Sequence, residues 1–178
     1  PLHPSSVRFR QGVFACLIAT GILLSINTSP VSAQQKRTGP MTPVEDVDGL
    51  PRVLLLGDSI SIGYTVPVRQ MLRGQANVHR ALTNCGPTTK GLEQLESWLG
   101  EAKWDAIHFN FGLHDLKYID DDGTRVPPES GHIQVPIEEY GENLKRIADR
   151  LKKTGAKLVF CNTTPVPTGA HGRIPGDS

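Results

Sequence analysis

The sequence predicts an α/β fold in which helices cover both faces of a parallel sheet, and three observations carry that expectation. Short apolar runs such as Val53–Leu56 lack the polar alternation of a strand with one wet face, so they read as strands buried on both sides. The runs alternate with stretches whose apolar residues recur at helical spacing, the pattern of crossovers between parallel strands. Three of the runs end in clusters of Gly, Asp, Asn, Ser, Cys or His, and open α/β sheets bind their ligands at the carboxyl ends of strands.

The bulk figures fit one domain. A chain of 178 residues with 38% hydrophobic and 21% charged residues can bury a core and has no disordered composition. No Lys/Arg block tracks a phosphate backbone, which excludes nucleic acid as an expected partner. The chain opens on Pro1 rather than methionine, so an incomplete reading frame is expected.

Residues 1–33 read as a secretory signal peptide. Arg8 and Arg10 precede the apolar run Gly12–Ile26, and small residues then prepare cleavage after Ala33. The run falls short of the roughly 20 residues a spanning helix needs, so no stable membrane anchor is expected. Removing Arg8 and Arg10 from the 19 basic residues leaves 17 against 18 acidic ones, a net charge of −1. Export places the mature protein outside the cell or in the periplasm. Cys16 leaves with the signal, and Cys85 and Cys161 are read as buried free thiols, with a disulfide as the alternative.

The remaining elements follow in order. Residues 34–51, with Gly39, Pro40, Pro43, Gly49 and Pro51, read as a flexible linker. Residues 52–178 are then the folded domain. Its first strand is Arg52–Leu56. A helix over Val66–Arg73 tolerates Pro67 in its first turn and stops at Gly74. Asn77–Leu82 is a second strand. After the loop at Asn84–Thr89, Thr88 or Thr89 can cap a helix with Leu92, Leu95, Trp98 and Leu99 on one face. Trp104–Phe111 is a third strand. The long Gly112–Pro136 segment is expected to be a functional loop or lid. Ile137–Lys153 is the clearest helix, with Ile137, Tyr140, Leu144, Ile147 and Leu151 in one stripe and Gly155 as its stop. Lys157–Cys161 is the fourth strand. Trp98 and Trp104 read as packing residues, with an aromatic sugar platform as the alternative. Asp120–Asp122 read as a solvated turn, since they lack the spacing of a dedicated calcium loop, and no metal or other cofactor is expected.

Chemistry gathers at three strand exits: Gly57-Asp58-Ser59, Asn84-Cys85-Gly86 and Gly112-Leu113-His114-Asp115. A serine beside converging N–H groups is the equipment of acyl transfer, in which the hydroxyl attacks a carbonyl and the donors receive the oxyanion. Asp58 argues against a nucleotide-binding turn, because phosphate prefers N–H groups without a neighbouring negative charge.

From Arg52 to Pro167 the chain resembles the SGNH hydrolases, the GDSL esterase and lipase family. Gly57-Asp58-Ser59-Ile60 is similar to that family's first block, and Gly86 with Thr88, Thr89, Gly91 and Leu92 to its second. Gly112-Leu113-His114-Asp115 stands where its third block, Gly-x-Asn-Asp, belongs. The resemblance implies a flavodoxin-like three-layer α/β/α fold. It makes Ser59 the catalytic nucleophile and Ser59, Gly86 and His114 the oxyanion donors.

Two departures qualify it. His114 replaces an asparagine, and either its imidazole or Asn110 is left to supply the third donor. The family's late Asp-x-x-His block, which supplies the base, is absent, as are a fifth strand and last helix. The sequence is therefore expected to stop short of them, leaving a weak or inactive fragment with an exposed sheet edge. The function expected is that of an exported serine esterase acting on small acyl esters of carbohydrates or short-chain lipids. A non-catalytic carbohydrate-binding protein on the same scaffold is the alternative.

Overall fold

The structure, a computed structural model, describes residues 39–177. The expected signal peptide at 1–33, with Cys16, and residues 34–38 of the linker lie outside the described residues. Strands β1 (Arg52–Leu56), β2 (Asn77–Arg80), β3 (Ala106–Phe109) and β6 (Lys157–Phe160) alternate with helices α1 (Ser59–Met71), α2 (Thr88–Leu99) and α3 (Ile137–Lys152). The four strands form one parallel sheet in the order β2-β1-β3-β6. Two short strands, β4 (Tyr118–Ile119) and β5 (His132–Ile133), pair as an antiparallel ribbon inside the long loop.

Side-chain alternation along the strands builds the layers. Leu54 and Leu56 of β1 and Ile107 and Phe109 of β3 join Leu95 and Leu99 of α2 and Ile147 and Leu151 of α3 in one core. On the opposite face, His108 of β3 meets Tyr64 of α1 edge-on, with ring centroids 5.8 Å apart. The two helix layers and the sheet give the predicted α/β/α arrangement.

Trp104 belongs to that core and donates its indole N–H to the Leu99 carbonyl at 3.0 Å, while Trp98 packs against it. Both tryptophans are packing residues. Gly91 lets α2 approach closely: a Cβ there would lie 2.8 Å from Ile147 Cδ1 and 3.1 Å from the Phe111 ring.

The first helix departs from the predicted bounds. It starts at Ser59 rather than Val66, because Asp58 is a good N-cap and accepts the Ile60 N–H through Oδ1 at 2.9 Å. Pro67 consequently sits inside the helix. The described part of the lead-in, 39–51, has no regular element, yet Asn77 bonds to the Val47 N–H and to the Val47 and Leu50 carbonyls at 2.9, 3.0 and 3.3 Å.

Strand β6 pairs with β3 alone among the described residues, and Val159 and Phe160 are 43% and 44% exposed, whereas Ile107 of β3 is fully buried. Among the described residues, both cysteines, Cys85 and Cys161, are free. Cys85 is buried as predicted, but Cys161 is exposed, because it follows this open edge strand rather than a covered one. Among the described residues no helix is long and apolar enough to cross a membrane.

Candidate active site

Ser59 stands at the carboxyl end of β1 as the first residue of α1, with its side chain exposed. The turn that presents it is held from below. Gly57 has no room for a side chain, since a Cβ would meet the Ser61 Cβ at 2.9 Å. Ser61 donates its hydroxyl to the Asp58 carbonyl at 2.7 Å. Arg80, only 4% exposed, reaches over from the end of β2 and donates to the Gly57, Ala81 and Thr83 carbonyls and the Thr65 and Ser61 hydroxyls at 2.8–3.4 Å. A buried cation is tolerated when its donors all find acceptors. Sequence reading missed Arg80, and β2, which reads Asn-Val-His-Arg, gave no signal that would have singled it out.

The second exit supplies Gly86, whose φ of +67° suits glycine. Its N–H donates to Asn84 Oδ1 at 2.9 Å, a local side-chain turn that occupies the predicted oxyanion donor. Helix α2 begins next, and neither predicted threonine caps it: Pro87 is the cap residue and offers no side-chain bond. Asp115, from the third exit, takes that place. Its Oδ1 accepts the Thr88 N–H at 2.8 Å and the Thr88 hydroxyl at 2.5 Å. Asp115, for which sequence reading has no role, thereby ties the second and third exits together. A carboxylate at a helix N-terminus is favoured by the unpaired N–H groups there. Burial nevertheless raises the Asp115 carboxyl above its ordinary range, with the Thr88 bonds opposing.

At the same exit, His114 Nδ1 lies 2.6 Å from Lys117 Nζ. Burial, then the positive charges of Lys117, Arg173 and Arg125, push His114 down to about 4, with Asp58 opposing. The ring is neutral at pH 7. With Nδ1 accepting from the ammonium, its proton belongs on Nε2, free to be donated. Asn110, the other candidate donor, gives its amide to the Cys161 and Asn162 carbonyls at 2.7 and 3.1 Å instead.

A general base for Ser59 is missing among the described histidines. His79 pairs with Asp46 at 2.6 Å, and His108 lies between the Tyr64 hydroxyl at 3.4 Å and the Cys161 sulfur at 3.1 Å. His132 and His171 are exposed on the ribbon and the final segment. One Asp-x-x-His spacing does occur, Asp105 to His108, but it runs along β3, and Asp105 accepts the Arg52 N–H at 2.7 Å. Residues three apart on a strand face opposite ways, so the pair cannot act together.

A cavity of about 350 Å³ adjoins the third exit, between the Gly112 turn, the start of α3 and the end of β6. Ile133, Val135, Leu144 and Phe160 give it apolar walls, and Asp115, Asn162 and Thr163 a polar edge. Ser59, Gly86 and His114 do not line it, so the cavity flanks the candidate site and does not contain its chemistry.

No family model matches the chain, and no curated protein matches its sequence. In structure it is similar to an acetyl xylan esterase, AlAXEase, with a TM-score of 0.51 and 17% identity over 65% of this chain and 58% of that one. The chain thus matches little more than half the length of that esterase. The likeness shows the fold: an α/β scaffold of esterase type, with a four-stranded parallel sheet.

Proposed function

We propose that the chain is a serine hydrolase acting on small acyl esters, those of carbohydrates or short-chain lipids, at the carboxyl edge of its sheet. The observation that carries this reading is an exposed serine at the N-terminus of α1, directly after a central buried strand, with two further functional exits beside it. In this reading Ser59 Oγ attacks the ester carbonyl and loses its proton to solvent, the ester C–O bond breaks as solvent protonates the departing alcohol, and water hydrolyses the acyl-serine to release the acid and restore the serine. The Ser59 and Gly86 N–H groups and His114 Nε2 receive the oxyanion, with Gly86 released from Asn84. The esterase-type scaffold of the similar structure supports the class of reaction.

The serine proton has no acceptor among the described histidines. Without a base the serine loses most of its activation, so acylation of Ser59 and the hydrolysis that depends on it are expected to be slow. The test is hydrolysis of 4-nitrophenyl acetate by the chain and by Ser59→Ala, with acyl-enzyme detected by mass spectrometry. A serine-dependent rate and an acylated Ser59 peptide support the assignment. Equal rates and no adduct overturn it.

A second reading is favoured by the Asn84–Gly86 bond and the unaccompanied serine: a carbohydrate-binding protein without turnover. Glycan binding that survives Ser59→Ala, in the absence of any acetate hydrolysis, identifies it.

A further inference from the structure

Three cations from three separate segments converge at the third strand exit, which neighbours the Asp58–Ser59 exit because β1 and β3 are adjacent in the sheet. Lys117 follows the third exit and contacts His114. Arg173, from the segment after β6, donates Nε to the Leu113 carbonyl at 2.7 Å. Arg125, between β4 and β5, is brought in through Gly172. The Tyr118 N–H donates to the Gly172 carbonyl at 2.8 Å, and a Cβ on Gly172 would lie 2.4 Å from Arg125 Cγ.

The cluster is short of counter-charge. Among the described residues none of the three comes within ion-pair distance of a carboxylate. The acidic groups felt there are Asp58 and Asp115. Asp58 caps α1 through the Ile60 N–H, and Asp115 is engaged by Thr88. Asp120, in the neighbouring acidic run, turns onto the Asp122 and Thr124 N–H groups at 3.1 and 2.8 Å. The cations act on one another: burial, then Arg125 and Arg173, lowers Lys117 to about 8, and burial, then Arg125, lowers Arg173.

Lys117 and Arg173 are partly buried, and like charges held so disfavour the folded state unless something compensates them; two guanidinium forks with an ammonium match an oxyanion's geometry. We infer that Lys117, Arg125 and Arg173 form an anion subsite, so that the ligand at Ser59 carries a carboxylate or phosphate close to its acyl group, as an acylated acidic sugar does. This rests on the reading of Ser59 as the reacting centre only in naming the ligand an ester; the anion subsite itself does not depend on turnover.

Calorimetric titration of the chain with methyl glucuronoside, methyl glucoside and inorganic phosphate tests it. The glucuronoside is expected to bind about tenfold more tightly than the glucoside, the size of one charge-assisted hydrogen bond. Added salt and Arg125→Gln should each shrink that ratio. Tighter binding of phosphate than of glucuronoside, sensitive to the same variant, supports the subsite and assigns its anion to a phosphate. Equal binding of the two glycosides without phosphate binding, or a preference unchanged in Arg125→Gln, overturns the inference. Arg125 is exposed, so its variant remains informative if Arg173→Gln fails to fold, which thermal unfolding of each variant will show. Anion preference without acetate hydrolysis keeps the subsite and removes the esterase; Ser59-dependent hydrolysis without the preference does the reverse.

Discussion

Asp115 caps helix α2 from a distance of 27 residues, accepting both the N–H and the hydroxyl of Thr88 on a single oxygen. One buried carboxylate thereby fixes the second strand exit against the third, and Gly86 precedes Thr88 by only two residues. The position of one predicted oxyanion donor depends on the turn that holds another.

Asp115→Ala is expected to lower unfolding stability by about 2 kcal/mol, since it strips two buried donors of their acceptor. Asp115→Asn keeps an acceptor oxygen and should lose clearly less. The asparagine also removes a pH effect. With its pKa raised by burial, Asp115 binds its proton more tightly folded than unfolded, so its contribution to stability falls as pH rises from the usual carboxylate value through the folded one. Urea unfolding of the three proteins across mildly acidic pH checks both points; equal losses from Ala and Asn would show that the acceptor is not what matters.

Arg80 supports the nucleophile turn in the same indirect way. Arg80→Leu leaves the Gly57, Ala81 and Thr83 carbonyls without their guanidinium donor, and a loss of about 3 kcal/mol is expected. Arg80→Lys should recover only part of it, because one ammonium cannot span acceptors in the segment after β2, on α1 and at the Gly57 turn together. Denaturant midpoints of both variants measure the difference.

What the sequence made legible follows from physics local to a segment. Arg52–Leu56 declares a buried strand by the unbroken apolar run at Val53–Leu56, and Ile137–Lys153 a helix by its stripe; the strand matches to the residue and the helix, which ends at Lys152, to within one. The start of α1 was missed because Ser59–Gly63 has few apolar residues, so periodicity was silent where the Asp58 cap decided. The serine, Gly86 and the Gly112 turn could be placed at strand exits from spacing alone. Arg80 to Gly57, Thr88 to Asp115 and Arg173 to Leu113 could not, because each joins segments brought together only by the order of the strands.

Gly112 marks where the third exit meets the end of β6. Its φ is +146°, and a Cβ would lie 2.1 Å from Thr163 Cγ2. Gly112→Ala is expected to cost about 2 kcal/mol or more, from overpacking and backbone strain together. Adding Thr163→Ser removes the opposing methyl and should return the steric part but not the conformational part. A double-mutant cycle separates them, and a cycle showing no coupling between the two positions would mean that the loop simply moves aside.

His114 offers the sharpest test of the site's electrostatics. Burial is the larger cause of its low pKa of about 4, and Lys117 the next. Its NMR resonances should therefore stay flat from pH 8 to about 5, with the proton on Nε2. In Lys117→Met the pKa should rise without reaching the ordinary value of 6.5, since burial persists. The sign for stability follows from proton counting. Between pH 4 and 6.5 the unfolded chain binds the proton and the folded chain does not, so this contribution is complete above about pH 6.5 and is lost as pH falls toward 4. Lys117→Met should flatten that acid-side decline. His114 itself titrating near 6.5 in the unmodified protein would mean that its ring is solvated and cannot be held as a neutral donor beside Ser59.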